Sequence, residues 1–225
     1  QAAHCAFDAA LAEDAHRLSF GRVSGQGHDE PGTTARHVIV ATGTASGKSL
    51  SYLMPTFDAL YRGARREPLS ATATNAGSTG FHQRANVLYI SPARALSADQ
   101  LNAITAYHLP GLNAATYDGD TPAQERRWVR EHANFVLTTP DMLNYGILGN
   151  HRQWANFLRG LRYVVLDEVH SYRGVFGAHI ANLLRRLRRV CALYRVSPVF
   201  YGASATSANP AESFAKLIGV PEGNV

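Results

Sequence analysis

Cysteine is scarce: Cys5 and Cys191 are the two in a chain of 225 residues. That excludes a disulfide framework and a cysteine-based zinc cluster, and it fits a reducing cytoplasm. The ten histidines include no HExxH spacing, and CxxC is missing too, so zinc-type ligation has no anchor; His170 and His179 are the only pair close together on expected ordered structure. No apolar run approaches the roughly 20 residues that a bilayer span needs, so no membrane partner is expected. A basic-then-apolar leader is lacking, and the first residue is Gln1 rather than methionine. The expectation is a cytoplasmic protein and a segment of a longer polypeptide. Acidic residues are outnumbered, 17 against 22 basic ones, which leaves a formal charge of +5. That leans, weakly by itself, toward a polyanionic partner.

What is present is a rhythm of short β-rich runs and amphipathic helical stretches. Strands are predicted at 36–41, 86–91, 112–117, 134–138, 163–167 and 199–204. Several are continuously apolar, such as Val87-Leu88-Tyr89-Ile90 and Tyr163-Val164-Val165-Leu166. A strand reads that way when helices cover both of its faces, which points to a parallel sheet. After Ser49, residues Leu50, Leu53, Phe57 and Leu60 recur at helical spacing, with Pro55 expected to kink the helix. Between 175 and 193 one stripe carries Phe176, Ile180, Leu183, Leu184, Leu187 and Val190, and Arg185, Arg186 and Arg189 fall on the other face. With Arg188 they form a cluster best read as a solvated helix face, or as a docking surface for other domains. Arg126, Arg127 and Arg130 are read in the same way. The stretches 24–34 and 63–84 lack any period and read as mobile loops. Strand, helix, strand in repetition gives one doubly wound α/β domain over 1–225.

Thr42-Gly43-Thr44-Ala45-Ser46-Gly47-Lys48-Ser49 follows an apolar strand and opens a helix. Phosphate binding asks for that context, because loop N–H groups and the positive end of a helix dipole converge on the oxygens. Lys48 would reach the β- and γ-phosphates of ATP, and the Ser49 hydroxyl would ligate Mg²⁺. Thr42 stands where the usual P-loop has Gly or Ala. Asp167-Glu168-Val169-His170 ends another apolar strand. There Asp167 would hold Mg²⁺ through water, and Glu168 would activate the attacking water.

Taken together these motifs resemble the first RecA-like domain of the superfamily 2 DEAD/DEAH-box helicases. DEVH resembles their motif II, and Ser91-Pro92-Ala93-Arg94-Ala95-Leu96 resembles motif Ia. Asp118-Gly119-Asp120-Thr121 is similar to the turn before motif Ib, Thr138-Thr139-Pro140-Asp141 to motif Ib, and Ser204-Ala205-Thr206 to motif III. The Thr44–Ser49 run, the stretch 167–177 and the run 204–210 are closer still to a bacterial and fungal branch of repair helicases that translocate three-prime to five-prime on DNA. The resemblance implies a RecA-like P-loop NTPase fold, with a mostly parallel sheet and helices on both faces. It implies an ATP-dependent helicase using ATP and Mg²⁺, with single-stranded DNA as partner. It also implies a second RecA-like domain with an arginine finger and a C-terminal cysteine cluster, neither of which this chain contains. Gln1 matches the family's adenine reader.

On the same resemblance, Arg94, Thr139 and the backbone around Pro92 and Pro140 meet nucleic acid, mainly at phosphates. The hydroxyls of Ser204 and Thr206 are expected to bond the motif II carboxylates and His170, coupling hydrolysis to movement. Two rivals remain at this point: an RNA helicase, since these motifs do not report the sugar, and a nucleotide-gated clamp without turnover. Intact Lys48, Asp167 and Glu168 argue against the clamp.

Overall fold

A computed structural model describes residues 37–43, 47–65, 85–206 and 208–225. The loop expected at 24–34 and residues 66–84 of the second one lie outside the described residues. Residues 63–65, by contrast, are helical rather than part of a loop. Each added residue of a formed helix gains a hydrogen bond at little entropic cost, and a single glycine near the end, Gly63, does not stop it.

Six strands form one sheet in the order β1-β6-β5-β2-β4-β3, and every neighbouring pair is parallel. They are β1 (Val38–Ala41), β2 (Asn86–Ile90), β3 (Ala114–Tyr117), β4 (Phe135–Thr138), β5 (Leu161–Leu166) and β6 (Val199–Ser204). The helices between them are α1 (Lys48–Arg65), α2 (Arg94–Thr105), α3 (Ala123–His132), α4 (Ala155–Arg159), α5 (Gly174–Leu193) and α6 (Pro210–Ile218). A short helical turn, Pro140–Met142, runs into a π-helical turn, Leu143–Leu148. Helix α1 continues through Pro55.

The continuous apolar runs are explained by two buried faces. Along β2, Leu88 and Ile90 enter one core cluster while Val87 and Tyr89 enter the other. Strand β5 divides likewise, with Val164 and Leu166 on one side and Val165 on the other. Each fully buried aliphatic side chain is worth about 1.5–3 kcal/mol, so both layers contribute to stability. Tyr52, Leu53 and Leu60 of α1 cover one face; Ile180, Leu184, Leu187 and Val190 of α5 cover the other.

Helix α5 departs from its sequence reading in two ways. Phe176, placed in the apolar stripe, is exposed. The arginines are not simply solvated: Arg186 donates to Asn144 Oδ1 at 2.6 Å, and Arg188 donates to the carbonyls of Ile218 and Gly219 at the end of α6. A helix end leaves carbonyls without intrahelical partners, and a long cationic side chain from a neighbouring helix satisfies them.

Strand register places the site. Ala41 pairs with Ser204, Ile90 with both Leu166 and Thr138, and Thr138 with Tyr117. The carboxyl ends of the strands therefore finish at one edge of the sheet. Ligands of open α/β sheets bind at such an edge.

Candidate nucleotide site and nucleic-acid face

Helix α1 begins at Lys48, directly after Gly47, whose φ of +73° suits a residue without Cβ. Thr42 and Gly43 are exposed and Ser49 is half-buried. Thr44, Ala45 and Ser46 lie outside the described residues, as does Gln1. The Lys48 ammonium donates to the carbonyls of Thr42 at 3.3 Å and Ser204 at 3.2 Å. The same Ser204 carbonyl accepts from the Thr42 N–H at 3.3 Å. The run read as motif III and Lys48 are thus in direct contact.

Asp167 continues β5 by one residue, its N–H donating to the Ile90 carbonyl at 3.0 Å. Its Oδ1 accepts from the Glu168 N–H at 2.9 Å, and its Oδ2 accepts from the Tyr89 hydroxyl. Glu168 is left-handed, with φ 49° and ψ 44°. That conformation costs a non-glycine residue about 1–2 kcal/mol, and such strain gathers at functional positions. It turns the chain sharply into the 3₁₀ turn Val169–Ser171 and leaves the Glu168 side chain half-exposed. Glu168 Oε2 then stands 3.1 Å from His170 Nδ1.

His170 Nδ1 also accepts from the Ala205 N–H at 3.2 Å. Accepting there places the proton of the neutral ring on Nε2; protonation of Nδ1 would exchange the Ala205 bond for one to Glu168. The link between motifs II and III was expected through the hydroxyls of Ser204 and Thr206. Among the described residues those hydroxyls make no such bond, and the link to motif II runs through the Ala205 N–H, while the Ser204 carbonyl faces Lys48 and Thr42 instead. These groups end a strand, where backbone donors and acceptors lose their ladder partners and must find others.

On the neighbouring strand ends, Ser91 is buried and ties its turn through Oγ to the Ala93 carbonyl at 2.7 Å. Pro92 is half-buried and Arg94 exposed at the start of α2. Arg94 pairs with Asp120. Asp120 belongs to a turn organised by Asp118, whose Oδ1 accepts from the N–H groups of Asp120 at 2.9 Å and Thr121 at 3.1 Å. Thr139 is half-buried beside this turn's partner strand, and Pro140 is buried, so its ring is not a contact surface.

Two residues organise this edge in roles that the sequence reading did not give them. Arg126 donates to the carbonyls of Thr121, Gly119 and Asp118 at 2.8, 3.1 and 3.3 Å, and lies over the Tyr117 ring. It is a clamp for the turn rather than a solvated charge. Tyr89 grips Asp167 from β2. The signal for it was a phenol within an otherwise aliphatic, doubly covered strand, where a hydroxyl needs a partner.

Comparison with known proteins gives a consistent set of matches. A family model described as DEAD/DEAH box helicase matches residues 30–214. The chain is 40% identical over 187 residues to the ATP-dependent helicase YprA of Bacillus subtilis, covering 82% of this chain and 22% of that protein. It is 37% identical over 193 residues to the ATP-dependent helicase HRQ1 of Saccharomyces cerevisiae, covering 83% of this chain and 16% of that one. The crystal structure of the DUF1998 helicase MrfA bound to DNA and AMPPNP superposes with a TM-score of 0.71 at 38% identity, over 83% of this chain and 24% of that one. The DEAD-box protein Mss116p, bound to ssRNA and AMP-PNP, shares the fold: TM-score 0.64 at 19% identity, over 92% of this chain and 40% of that one. The chain thus spans less than a quarter of the length of YprA, HRQ1 and MrfA.

Proposed function

The chain belongs to the DEAD/DEAH box helicase family, and from that premise we propose that it is the ATP-binding motor domain of a DNA helicase or translocase. One observation carries the reading: Lys48, Asp167, Glu168 and His170 lie at one sheet edge, joined by the Ser204 carbonyl and Ala205 N–H of motif III. A nucleotide-binding event at the loop is thereby connected to the strand end that would face a second domain.

The donor set fits Mg-ATP. Among the described residues no group of three or more His, Cys, Asp or Glu forms a metal cage. Mg²⁺ does not ask for one, since it takes one or two protein oxygens and completes its shell with phosphates and water. Ser49 and Asp167 are suited to hold it. When bound, the ion neutralises charge on the phosphates. Lys48 would leave two neutral carbonyls for phosphate oxygens, which are stronger partners for an ammonium. Glu168, half-exposed and beside the His170 ring, would orient water and take its proton; Glu168→Gln should slow hydrolysis about 10²–10⁴-fold while nucleotide still binds.

Single-stranded DNA would cross the edge formed by Pro92, Arg94 and Thr139, and the DNA-bound MrfA relative favours DNA over RNA. Phosphoryl transfer in this reading takes place between two RecA-like domains, with an arginine of the second supplying about 10³–10⁵ in rate. Residues 1–225 alone should therefore hydrolyse ATP near background, without stimulation by DNA. Phosphate release is followed with single-stranded DNA and with RNA, for this chain and for the chain joined to a second RecA-like domain. Stimulation of the joined form by DNA supports the proposal; stimulation by RNA alone, or robust turnover by residues 1–225, sinks it.

A further inference from the structure

Tyr89 is fully buried in the middle of the sheet, in a strand where Val87, Leu88 and Ile90 surround it after Asn86. In the register, Tyr89 lies opposite Val165, and Ile90 opposite Leu166. Side chains alternate along a strand, so Asp167, two residues beyond Val165, points to the same face as Tyr89. That makes the two residues diagonal neighbours, a separation an aromatic side chain can bridge. The face is the one covered by α1, the helix that begins with Lys48 and Ser49.

We infer that Tyr89 is a positioning residue for the metal-binding carboxylate: its hydroxyl fixes Asp167 in the orientation that receives Mg²⁺. A carboxylate at a strand end is otherwise free to swing about its side-chain torsions. Here both oxygens are held, Oδ1 by the Glu168 N–H and Oδ2 by the Tyr89 hydroxyl. Each carboxylate oxygen has two lone pairs, so each keeps one for the ion or its water. Partners of this kind around metal ligands are worth about 10–100-fold in metal affinity. Tyr52 of α1 packs its ring against Tyr89, with centroids 6.0 Å apart.

The inference rests on the nucleotide-site reading, and the test separates the two. Mn²⁺ serves as the spectroscopic stand-in for Mg²⁺, with its paramagnetic resonance signal reporting binding to the full chain carrying a nonhydrolysable ATP analogue. Tyr89→Phe should weaken Mn²⁺ binding about tenfold while the affinity for the analogue in EDTA stays as in wild type. In an Asp167→Asn background the same substitution should have no further effect, because it acts through that carboxylate. Tyr89→p-aminophenylalanine, which restores an N–H donor, should recover the affinity. Unchanged Mn²⁺ binding in Tyr89→Phe overturns the role, and so does an equal loss of metal-free binding, which would mean a packing effect. If Tyr89→Phe does not fold, the amino variant decides: folded but weak in Mn²⁺, it overturns the inference. A wild-type chain whose nucleotide binding ignores Mn²⁺ overturns the nucleotide site itself.

Discussion

Lys48 directs its charge at two neutral oxygens, those of Thr42 and Ser204, and is partly exposed. Hydrogen bonds to a charged group contribute about 1.5–3 kcal/mol when buried, and solvent at this partly exposed ammonium reduces that. Lys48→Ala should therefore change thermal stability little and remove nucleotide affinity almost entirely, because the chain has no other lysine near the loop. Titration with a fluorescent ATP analogue beside a thermal melt checks both halves; tight binding by the variant would place the site elsewhere. Arg94 makes the opposite case. Its guanidinium is held by Asp120, a carboxylate that a phosphodiester must displace or share. Asp120→Asn should tighten single-stranded DNA binding about two- to fivefold, the range of an exposed ion pair, and steepen its salt dependence. Weaker binding would mean that Asp120 presents Arg94 rather than competing for it. Lys48, Asp167, Glu168 and Arg94 could be singled out as candidates from the sequence because spacing and flanking strands mark them. Their partners could not. Asp120 is 26 positions from Arg94 and Tyr89 is 78 from Asp167, and only the register of a folded sheet makes them neighbours.

The elements were legible to within two or three residues where two buried faces imposed a continuous apolar run, as in β2 and β6. Edges were less clear. Strand β3 begins at Ala114 rather than 112, because the Asn134 side chain occupies the approach, accepting from the Asn113 N–H at 2.8 Å and donating to the Gly111 carbonyl at 2.7 Å. Side-chain traps of this sort leave no period to read. The motif II exit shows a tighter constraint. Gly177 lies in the first turn of α5, where a Cβ would sit 2.5 Å from the Tyr172 carbonyl oxygen. The obstacle is backbone, so it cannot rotate away. Gly177→Ala should cost about 1–3 kcal/mol, the usual range for overpacking, seen as a lower urea midpoint. An unchanged midpoint would mean that the 172–177 segment yields freely.

Across the whole molecule the ionisable groups of the core behave as one set. Tyr52, Tyr89, Tyr172, Tyr201 and Cys191 are all 6% exposed or less. Burial raises each of them, pushing Tyr52, Tyr201 and Cys191 up to about 12. In the unfolded chain the thiol and the phenols release protons from about pH 9 to 10. The folded state keeps its protons there, so unfolding becomes coupled to proton loss and stability falls as pH rises. Each group contributes up to about 1.4 kcal/mol per pH unit between its two values. Urea midpoints should be flat from pH 7 to about 9 and drop steeply above; a midpoint level to pH 11 would mean that water reaches these hydroxyls. The last consequence belongs to the carbonyl of Ser204. It is shared between the Thr42 N–H and the Lys48 ammonium, and an ammonium drawn to a polyphosphate must give it up. Linkage is then reciprocal: whatever grips the freed end of β6 raises nucleotide affinity by the same factor by which nucleotide raises its own grip.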